Sequence, residues 1–163
     1  MKEKFEIREA TASDAEAIAS IFHYTIRQVN AKDYTQAQID AWAGPAPEPQ
    51  KWKPALAEQG ATKVFVACYS GKITGYAHFE PDGHIGSLYV HHEHQRQGVA
   101  TQLLSRIEKE AEQQGAACLF TEASITALPF VQSNGFIIVK EQEVEYRGAL
   151  FKNYKMEKRP IRK

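Results

Sequence analysis

The segment from Gln95 to Thr101, QRQGVAT, has the features of an anion-binding site. It joins an apolar run to a helical pattern, and no Ser, Thr, Asp or Asn stands at the helix start as a cap. A helix start presents unpaired backbone N–H groups and a partial positive charge, which suit phosphate oxygens. Gly98 leaves room for such a group, Ala100 is nearly as small, and Arg96 can donate charge-assisted hydrogen bonds. A phosphate ligand in the place of the cap would explain the pattern.

Two other phosphate-binding motifs are absent from the chain. It contains neither G-x-x-x-x-G-K-[ST] nor G-x-G-x-x-G, so a nucleotide P-loop and a dinucleotide-binding turn are excluded. A simpler interpretation of the segment stays open, in which Gly98 only relieves a tight turn and Arg96 is solvated. The segment therefore predicts either a phosphate site or a plain strand-to-helix turn.

Ionisable side chains gather on the strands near this segment. They are His78 and Glu80 on one predicted strand, His84 and Tyr89 on the next, and Glu122 at the end of a later strand. Each has a side chain that can move a proton. The alternative is that Glu80 and His84 flank the turn PDG and are solvated, and that Tyr89 is a core residue whose hydroxyl is hydrogen-bonded.

Neither metal nor disulfide chemistry is predicted. The cluster His91, His92 and His94 is not H-E-x-x-H, and adjacent histidines in a loop seldom converge on one ion. The two cysteines lie in the apolar runs VFVACY and AACLF. We expect Cys68 and Cys118 to be small buried hydrophobic residues in a reducing compartment.

The hydrophobic pattern predicts the elements that position these residues, beginning with a short strand at residues 5–8. Two capping boxes, Ser13 with Glu16 and Thr35 with Gln38, each predict the start of a helix. The apolar positions of the first helix are Ile18, Ile21, Phe22, Thr25 and Val29. A weaker helix follows at residues 52–56.

The second half of the chain predicts strands on both sides of one long helix. KVFVACY, ITGYAHFE and HIGSLYV are strands, and the turns SGK and PDG between them favour an antiparallel meander. Residues 100–114 form a helix that Gly115 ends, with Leu103, Leu104, Ile107 and Ala111 on its buried face. A strand AACLFTEA, a short helix at residues 127–133, and the strands FIIVKEQEVEY and ALFKNYKME complete the chain. This order predicts a mixed α/β sheet covered by helices, with the ligand site where strand 84–90 leads into the long helix.

Length and charge narrow the class of protein. The 163 residues predict one domain, residues 1–163. Twenty basic and twenty acidic residues cancel, so no global field favours nucleic acid or an anionic membrane as a partner. No apolar run approaches the roughly 20 residues that span a bilayer, and MKEKFEIREA lacks the apolar core of a signal peptide. The expected location is the cytoplasm.

With these elements in place, QRQGVA resembles the signature [QR]-x-x-G-x-[GA] of the GNAT superfamily of acetyl-coenzyme A dependent N-acetyltransferases. The resemblance covers nearly the whole chain. IREATASDAEAIASIF is similar to the family's first strand and helix, LYV to its splayed central strand, and FVQSNGF to its late helix-to-strand element. The segments AWA, EAS and VEYRGALFKNYKMEK are similar to those of a bacterial subfamily of poorly defined substrate. The resemblance implies a central mixed, mostly antiparallel sheet of six to seven strands with flanking helices.

The resemblance also implies where acetyl-CoA would bind. The backbone N–H groups from Arg96 through Thr101 would hold its pyrophosphate. Main-chain groups of the strand that ends at Val90 would pair with the pantetheine arm and the acetyl carbonyl, as an added strand would. The residues assigned to the coenzyme are Leu88, Tyr89, Val90, Gln95, Arg96, Gln97, Gly98, Val99, Ala100, Thr101, Ser124 and Phe130.

The chain departs from the family at the catalytic positions. Many members place a Tyr that protonates the leaving thiolate where this chain has Val131, and a Glu that serves as base where it has Ser87. Valine has no proton to donate. Glu80, Tyr89 and Ser124 are the remaining candidates for catalytic roles, and proximity of the two substrates would supply much of the rate.

The sequence thus predicts a metal-free, acetyl-CoA dependent N-acetyltransferase, in which a primary amine attacks the thioester directly in a ternary complex. The acceptor is a small molecule or a protein amine, and the protein is a monomer or a homodimer. Aromatic residues on the early helices either roof the acceptor pocket or belong to the core; they are Phe22, Tyr24, Tyr34 and Trp42. The alternatives are a non-catalytic acyl-CoA binding module and a structural or protein-interaction domain.

Overall fold

The computed structural model of the chain describes residues 5–159 and 161, and its elements follow the predicted order. The strands are β1 (Glu6–Glu9), β2 (Lys63–Tyr69), β3 (Lys72–Phe79), β4 (Ile85–Val90), β5 (Leu119–Ser124), β6 (Ile137–Tyr146) and β7 (Ala149–Lys158). The helices are α1 (Ala15–Gln28), α2 (Gln36–Ala43), α3 (Lys53–Ala57), α4 (Val99–Gln113) and α5 (Leu128–Ser133).

The predicted cap of α1 is wrong. The carboxylate of Asp14, and not that of Glu16, turns back to the chain: it accepts from the Thr11 backbone N–H at 2.8 Å. The guanidinium of Arg8 clamps the same carboxylate with bonds of 2.8 and 3.0 Å. Ser13 instead contacts the Thr11 hydroxyl. Helix α1 therefore begins at Ala15, one residue later than a cap at Ser13 predicts, because this ion pair fixes Asp14 as its N-cap residue.

Further boundaries also differ from the prediction. Helix α1 ends at Gln28, so Val29 lies beyond its last turn. Strand β5 begins at Leu119 and not at Ala116, since the Ala116 N–H still bonds the carbonyl of Ala111 to close the end of α4. The second capping box is confirmed: the Thr35 hydroxyl accepts from the Gln38 N–H at 3.2 Å.

The mixed, mostly antiparallel fold is confirmed, and its seven described strands divide into two sheets. Strands β1-β2-β3-β4 form one antiparallel sheet, and β5-β7-β6 form the other. One isolated parallel bridge, His84 with Phe120, lies between the two sheets. Beyond that bridge β4 and β5 diverge, which leaves a slot between them.

A glycine forms the joint between the sheets. Gly83 has a φ of +102°, and a Cβ at this position would overlap the carbonyl of Cys118. The close approach lets the Phe120 N–H donate to the Gly83 carbonyl at 3.0 Å, and the Thr121 hydroxyl donates to the Ile85 carbonyl at 2.8 Å. The start of the slot is therefore set by backbone contact.

Helices cover both faces of the four-stranded sheet. Helix α4 buries one face, and its core residues are Val99, Leu103, Leu104, Ile107 and Ala111. Helix α1 covers the other face with Ile18 and Ile21 against Val64 and Val66. Each such side chain, once buried, contributes about 1.5–3 kcal/mol to the free energy of unfolding.

Both cysteines are free thiols; Cys118 is buried, as predicted, whereas Cys68 is only partly buried against the α1 side of the core. No disulfide links them. Among the helices of the described residues, none is both long and apolar enough to cross a membrane.

Gly83→Ala tests the joint. The added methyl meets the Cys118 carbonyl, and the positive φ disfavours any side chain, so we expect a loss of at least about 2 kcal/mol in the free energy of unfolding. Gly60→Ala is the matched control, because its Cβ meets open space. Urea denaturation measures both variants, and equal stability of the two would contradict the proposed joint.

Candidate active site

Two cavities meet at one wall of the protein. The first is the slot between β4 and β5, with a volume of about 250 Å³. The second, the aromatic cavity, has a volume of about 440 Å³. Trp42, Glu122 and Ser124 line both. A group held in the slot and a group held in the aromatic cavity would meet beside these three residues.

The start of α4 lies at one end of the slot. Gly98 is its N-cap residue, in the left-handed conformation with a φ of +89°, and no side chain caps the helix. The first main-chain bond of the helix runs from Gln102 to the Gly98 carbonyl, so the N–H groups before Gln102 have no acceptor within the helix. A Cβ on Gly98 would meet nothing within 4 Å. This geometry suits an anion, as the sequence predicts.

The residues before Gly98 divide into one anchor and two exposed side chains. The Gln95 side-chain amide donates to the Val90 carbonyl at 2.6 Å, which ties the segment to the end of β4. Arg96 and Gln97 are exposed, and Arg96 has a φ of +60°. The Thr25 hydroxyl donates to the same Val90 carbonyl at 3.0 Å. The Val90 carbonyl oxygen therefore already accepts two hydrogen bonds from the protein. It is less available for the main-chain contact with the coenzyme that the sequence predicts.

Residues of β4 and α5 form the apolar walls of the slot. Leu88, Ala100, Phe130 and Val131 line it, together with Tyr89 and Val90. Val99 and Thr101 belong to the first turn of α4, where Val99 is fully buried in the core. Val131 thus occupies the wall at the position where a proton donor was expected, and Ser87 also lines the slot.

Tyr89 packs as a core residue whose edge borders the slot. Its ring stacks on Tyr76 at 5.8 Å and meets the edge of Phe22 at 5.4 Å. Burial raises the pKa of Tyr89 well above its usual range, although a hydrogen bond with Trp42 opposes this. The hydroxyl therefore stays protonated.

Two hydroxyl groups lie at the junction of the cavities. The Ser124 Oγ accepts from the Ala127 N–H at 3.1 Å, and the Tyr34 hydroxyl oxygen accepts from the Ile125 N–H at 2.9 Å. Each oxygen thereby uses a lone pair, and a hydrogen bond between the Ser124 and Tyr34 side chains couples the two hydroxyls. Burial raises the pKa of Tyr34. The sequence left Tyr34 as a roof or a core residue, and no local pattern indicates its hydrogen bond with Ile125.

The interpretation of Glu80 and His84 as solvated is wrong. The His84 ring lies between two carboxylates, with its Nδ1 2.8 Å from Glu80 Oε1 and its Nε2 2.8 Å from Glu122 Oε1. The ring stacks on Phe120 at 5.0 Å. Burial disfavours the charged ring, but the hydrogen bonds to the two carboxylates outweigh it and raise the pKa of His84. We call these three residues the carboxylate–histidine cluster.

The aromatic cavity is roofed by α1, α2 and the β6–β7 hairpin. Of the two interpretations of the early aromatic residues, Phe22, Tyr34 and Trp42 fit the roof, since they line this cavity, whereas Tyr24 is exposed. Phe151 from the hairpin completes the roof, with its ring 5.9 Å from that of Trp42. Sequence analysis missed Phe151, because an aromatic residue in a strand does not reveal which distant helix it meets.

The histidines after β4 stack on one another. The rings of His91 and His92 lie 4.4 Å apart, and His91 Nδ1 accepts from the Glu93 N–H at 3.0 Å. No group of three His, Cys, Asp or Glu side chains among residues 5–159 and 161 is arranged to hold a metal ion.

Comparisons with known proteins agree on one family. The sequence model of a family described as acetyltransferase (GNAT) domain matches residues 30–158. The uncharacterized N-acetyltransferase YafP of Escherichia coli (strain K12) is 34% identical over 155 residues, which are 95% of this chain and 96% of that protein. A GCN5-related N-acetyltransferase structure from Rhodopseudomonas palustris superposes with a TM-score of 0.89 at 30% identity, covering 97% of each chain. The PaiA N-acetyltransferase of Thermoplasma acidophilum, solved with coenzyme A, shares the fold with a TM-score of 0.75 at 16% identity, covering 95% and 98%.

The carboxylate–histidine cluster predicts a pH-dependent stability. Because the pKa of His84 is raised on folding, its stabilising contribution is complete below its ordinary pKa of about 6.5 and is lost as pH rises through the folded value. We expect wild type to exceed His84→Gln in free energy of unfolding by more at about pH 5.5 than at about pH 8.5. Urea denaturation at both pH values measures the difference. A gap that is constant or widens with pH would contradict the prediction.

Proposed function

The chain belongs to the GNAT acetyltransferase family, and we propose on that basis that it is an N-acetyltransferase that moves the acetyl group of acetyl-CoA to a primary amine. The observation that carries the proposal is the slot that opens at the uncapped start of α4. The proposed reaction is direct attack of the amine on the thioester while both substrates are bound.

The coenzyme would lie along the slot. We assign its pyrophosphate to the N–H groups from Arg96 through Thr101, with Gln95 as the anchor of that segment. The open edge of β4 at Leu88 would pair with the pantetheine amides, as an added strand does. Phe130 and Ser124 line the same slot and would contact the arm. The thioester would then reach the wall shared with the aromatic cavity.

The acceptor amine would enter the aromatic cavity. Its rings, from Phe22, Tyr34, Trp42 and Phe151, favour an apolar or aromatic body, and Glu122 offers a carboxylate for the ammonium group. A cavity of about 440 Å³ fits a small molecule. We therefore favour a small arylalkylamine over a polyamine or a protein amine as acceptor.

The leaving thiolate requires little stabilisation by a general acid. A thiol near the usual pKa of about 8.5 is a tolerable leaving group, so an acid adds only part of the usual hundredfold to ten-thousandfold gain. With Val131 in the wall, a water near Ser124 or a main-chain N–H would stabilise the thiolate. Close approach of the two substrates would supply most of the rate.

Two alternatives follow from specific observations. A non-catalytic acyl-CoA binding module is favoured by Val131 and Ser87, and release of coenzyme A with any amine would exclude it. A purely structural domain would leave the cap of α4 empty, and it would show no thermal shift with coenzyme A.

The remaining proposals are one domain over residues 1–163, a cytoplasmic location, no nucleic-acid or membrane partner, and a monomer or homodimer.

Coenzyme A should stabilise the fold. A ligand that binds only the native state adds RT ln(1 + [L]/Kd), roughly 2.7 kcal/mol at a hundredfold excess over Kd, which raises Tm by several degrees. Differential scanning fluorimetry measures the shift. No shift at about millimolar coenzyme would overturn the assignment.

Gly98→Glu should remove that shift while the protein still folds, because a carboxylate would occupy the phosphate cradle and oppose its charge. Gly98→Ala is the matched control and should be milder, since its methyl meets open space and only the positive φ disfavours it. If the Glu variant bound coenzyme as wild type does, the pyrophosphate would have to lie elsewhere.

Substitution of Ser124, Tyr89 or Glu80 should lower kcat only modestly if close approach of the two substrates supplies most of the rate. Ser124→Ala, Tyr89→Phe and Glu80→Gln should each lower kcat by less than about a hundredfold. Val131→Tyr should keep activity or raise it, provided that the ring fits. Coenzyme A release with a thiol reagent, over a panel of 2-phenylethylamine, tryptamine, spermidine and lysine, measures these rates. A thousandfold loss in one variant with coenzyme affinity intact would show a dedicated catalyst.

A further inference from the structure

Glu122 is placed where the two substrates would meet. Its side chain lies on the same face of β5 as Phe120 and Ser124, because alternate residues of a strand share a face. It lines both the slot and the aromatic cavity. Glu145, the other carboxylate that lines these cavities among the described residues, borders the aromatic cavity alone.

His84 and Glu80 hold Glu122 in this position. One Glu122 oxygen, Oε1, is bound to His84 Nε2, while the opposite ring nitrogen is bound to Glu80. Stacking on Phe120 fixes the plane of the ring. The His84 N–H also donates to Asp82 at 3.1 Å, so the backbone at this turn is held as well. Among the described residues no hydrogen bond is found at the Oε2 of Glu122, so this oxygen can bind a ligand in the cavities that Glu122 lines.

We propose that Glu122 binds the ammonium group of the acceptor and takes up its proton, with His84 and Glu80 as positioning residues. The inference rests on the proposed acetyl transfer. It gives this chain a base on β5 in place of the one that Ser87 on β4 lacks. The Glu122 side chain is 38% exposed, which lets it pass the proton on to water.

The N–H bond of the ammonium breaks, its electron pair stays on nitrogen, and the proton goes to the Glu122 carboxylate. The free amine attacks the thioester carbon, the C–S bond breaks, and its electron pair leaves on sulfur. The second proton lost from nitrogen goes to the thiolate through water, so the products are the amide, coenzyme A and one proton released to solvent.

Several other charged groups face the cluster and bear on its pH dependence. Lys155 lies opposite Glu122 in the β5–β7 ladder. His78 lies close enough to His84 that the two influence each other's charge, and burial lowers the pKa of His78. Asp82 stands at the turn before His84. None of these residues has the position of Glu122 in the wall of both cavities.

The test compares Glu122→Gln with wild type at about pH 7 and about pH 9, using the panel amine that wild type acetylates fastest among 2-phenylethylamine, tryptamine, spermidine and lysine. We expect kcat/KM of the variant to fall by about a hundredfold at the lower pH, with the thermal shift by coenzyme A unchanged. The deficit should shrink as pH rises, because solvent then supplies the free amine. A purely structural role would not change the deficit in this way.

One more variant tests the positioning role of His84, and another serves as the control. His84→Gln should lower kcat/KM by about tenfold, with its deficit also smaller at high pH. Glu6→Gln is the matched control, an exposed strand carboxylate at the far edge of the first sheet, and should leave the rate unchanged. The proposal is overturned if Glu122→Gln stays within about threefold of wild type, or if its deficit is the same at both pH values. If wild type acetylates no panel amine while coenzyme A still binds, the proposed acetyl transfer fails, and this inference fails with it.

Discussion

The structure depends on the way β4 and β5 come together at one point and then part. Their backbones touch where Gly83 leaves no side chain between them, and the bridge of His84 with Phe120 and the bond from the Thr121 hydroxyl to the Ile85 carbonyl follow. Strands that continued to pair would satisfy each other's N–H and C=O groups and would leave no opening. Because they part, each of the two sheets presents an edge to the slot. An edge of this kind is a ready template for an extended ligand that carries amides.

The same parting explains why α4 starts without a cap. The chain leaves β4, turns at Gln95 and enters the helix at Gly98, so the unpaired N–H groups of the first turn lie at the end of the slot. A side-chain cap would satisfy these groups within the protein and remove the positive end that an anion requires. The protein instead anchors the turn from behind, where the Thr25 hydroxyl and the Gln95 amide both hold the Val90 carbonyl. These two bonds stabilise the turn behind the helix start, and α4 keeps a first turn without a side-chain cap.

Sequence patterns with a local cause were predictable, and contacts between distant segments were not. The capping box of Thr35 with Gln38, the order of the elements and the open start of α4 depend on neighbouring residues, so the sequence indicates them directly. The cap of α1 was misassigned because Arg8, on a different element, binds Asp14. Glu80, His84 and Glu122 were named as candidates, but their contact was missed for the same reason: Glu122 is far from His84 in the chain, and the approach of β4 to β5 brings them together. The division into two sheets likewise results from a backbone contact that no local pattern reports.

The central claim is that the slot between β4 and β5 holds the coenzyme with its phosphates at the start of α4. Chemical-shift mapping of the ¹⁵N-labelled protein titrated with coenzyme A tests this most directly, because each backbone amide reports its own contact. If the coenzyme lies in the slot, the largest shifts fall at the amides from Arg96 through Thr101, with further shifts at Leu88 and near Ser124. Shifts confined to the separate cavity beside His23, Trp52 and Arg147, with those of the α4 start unchanged, would contradict it.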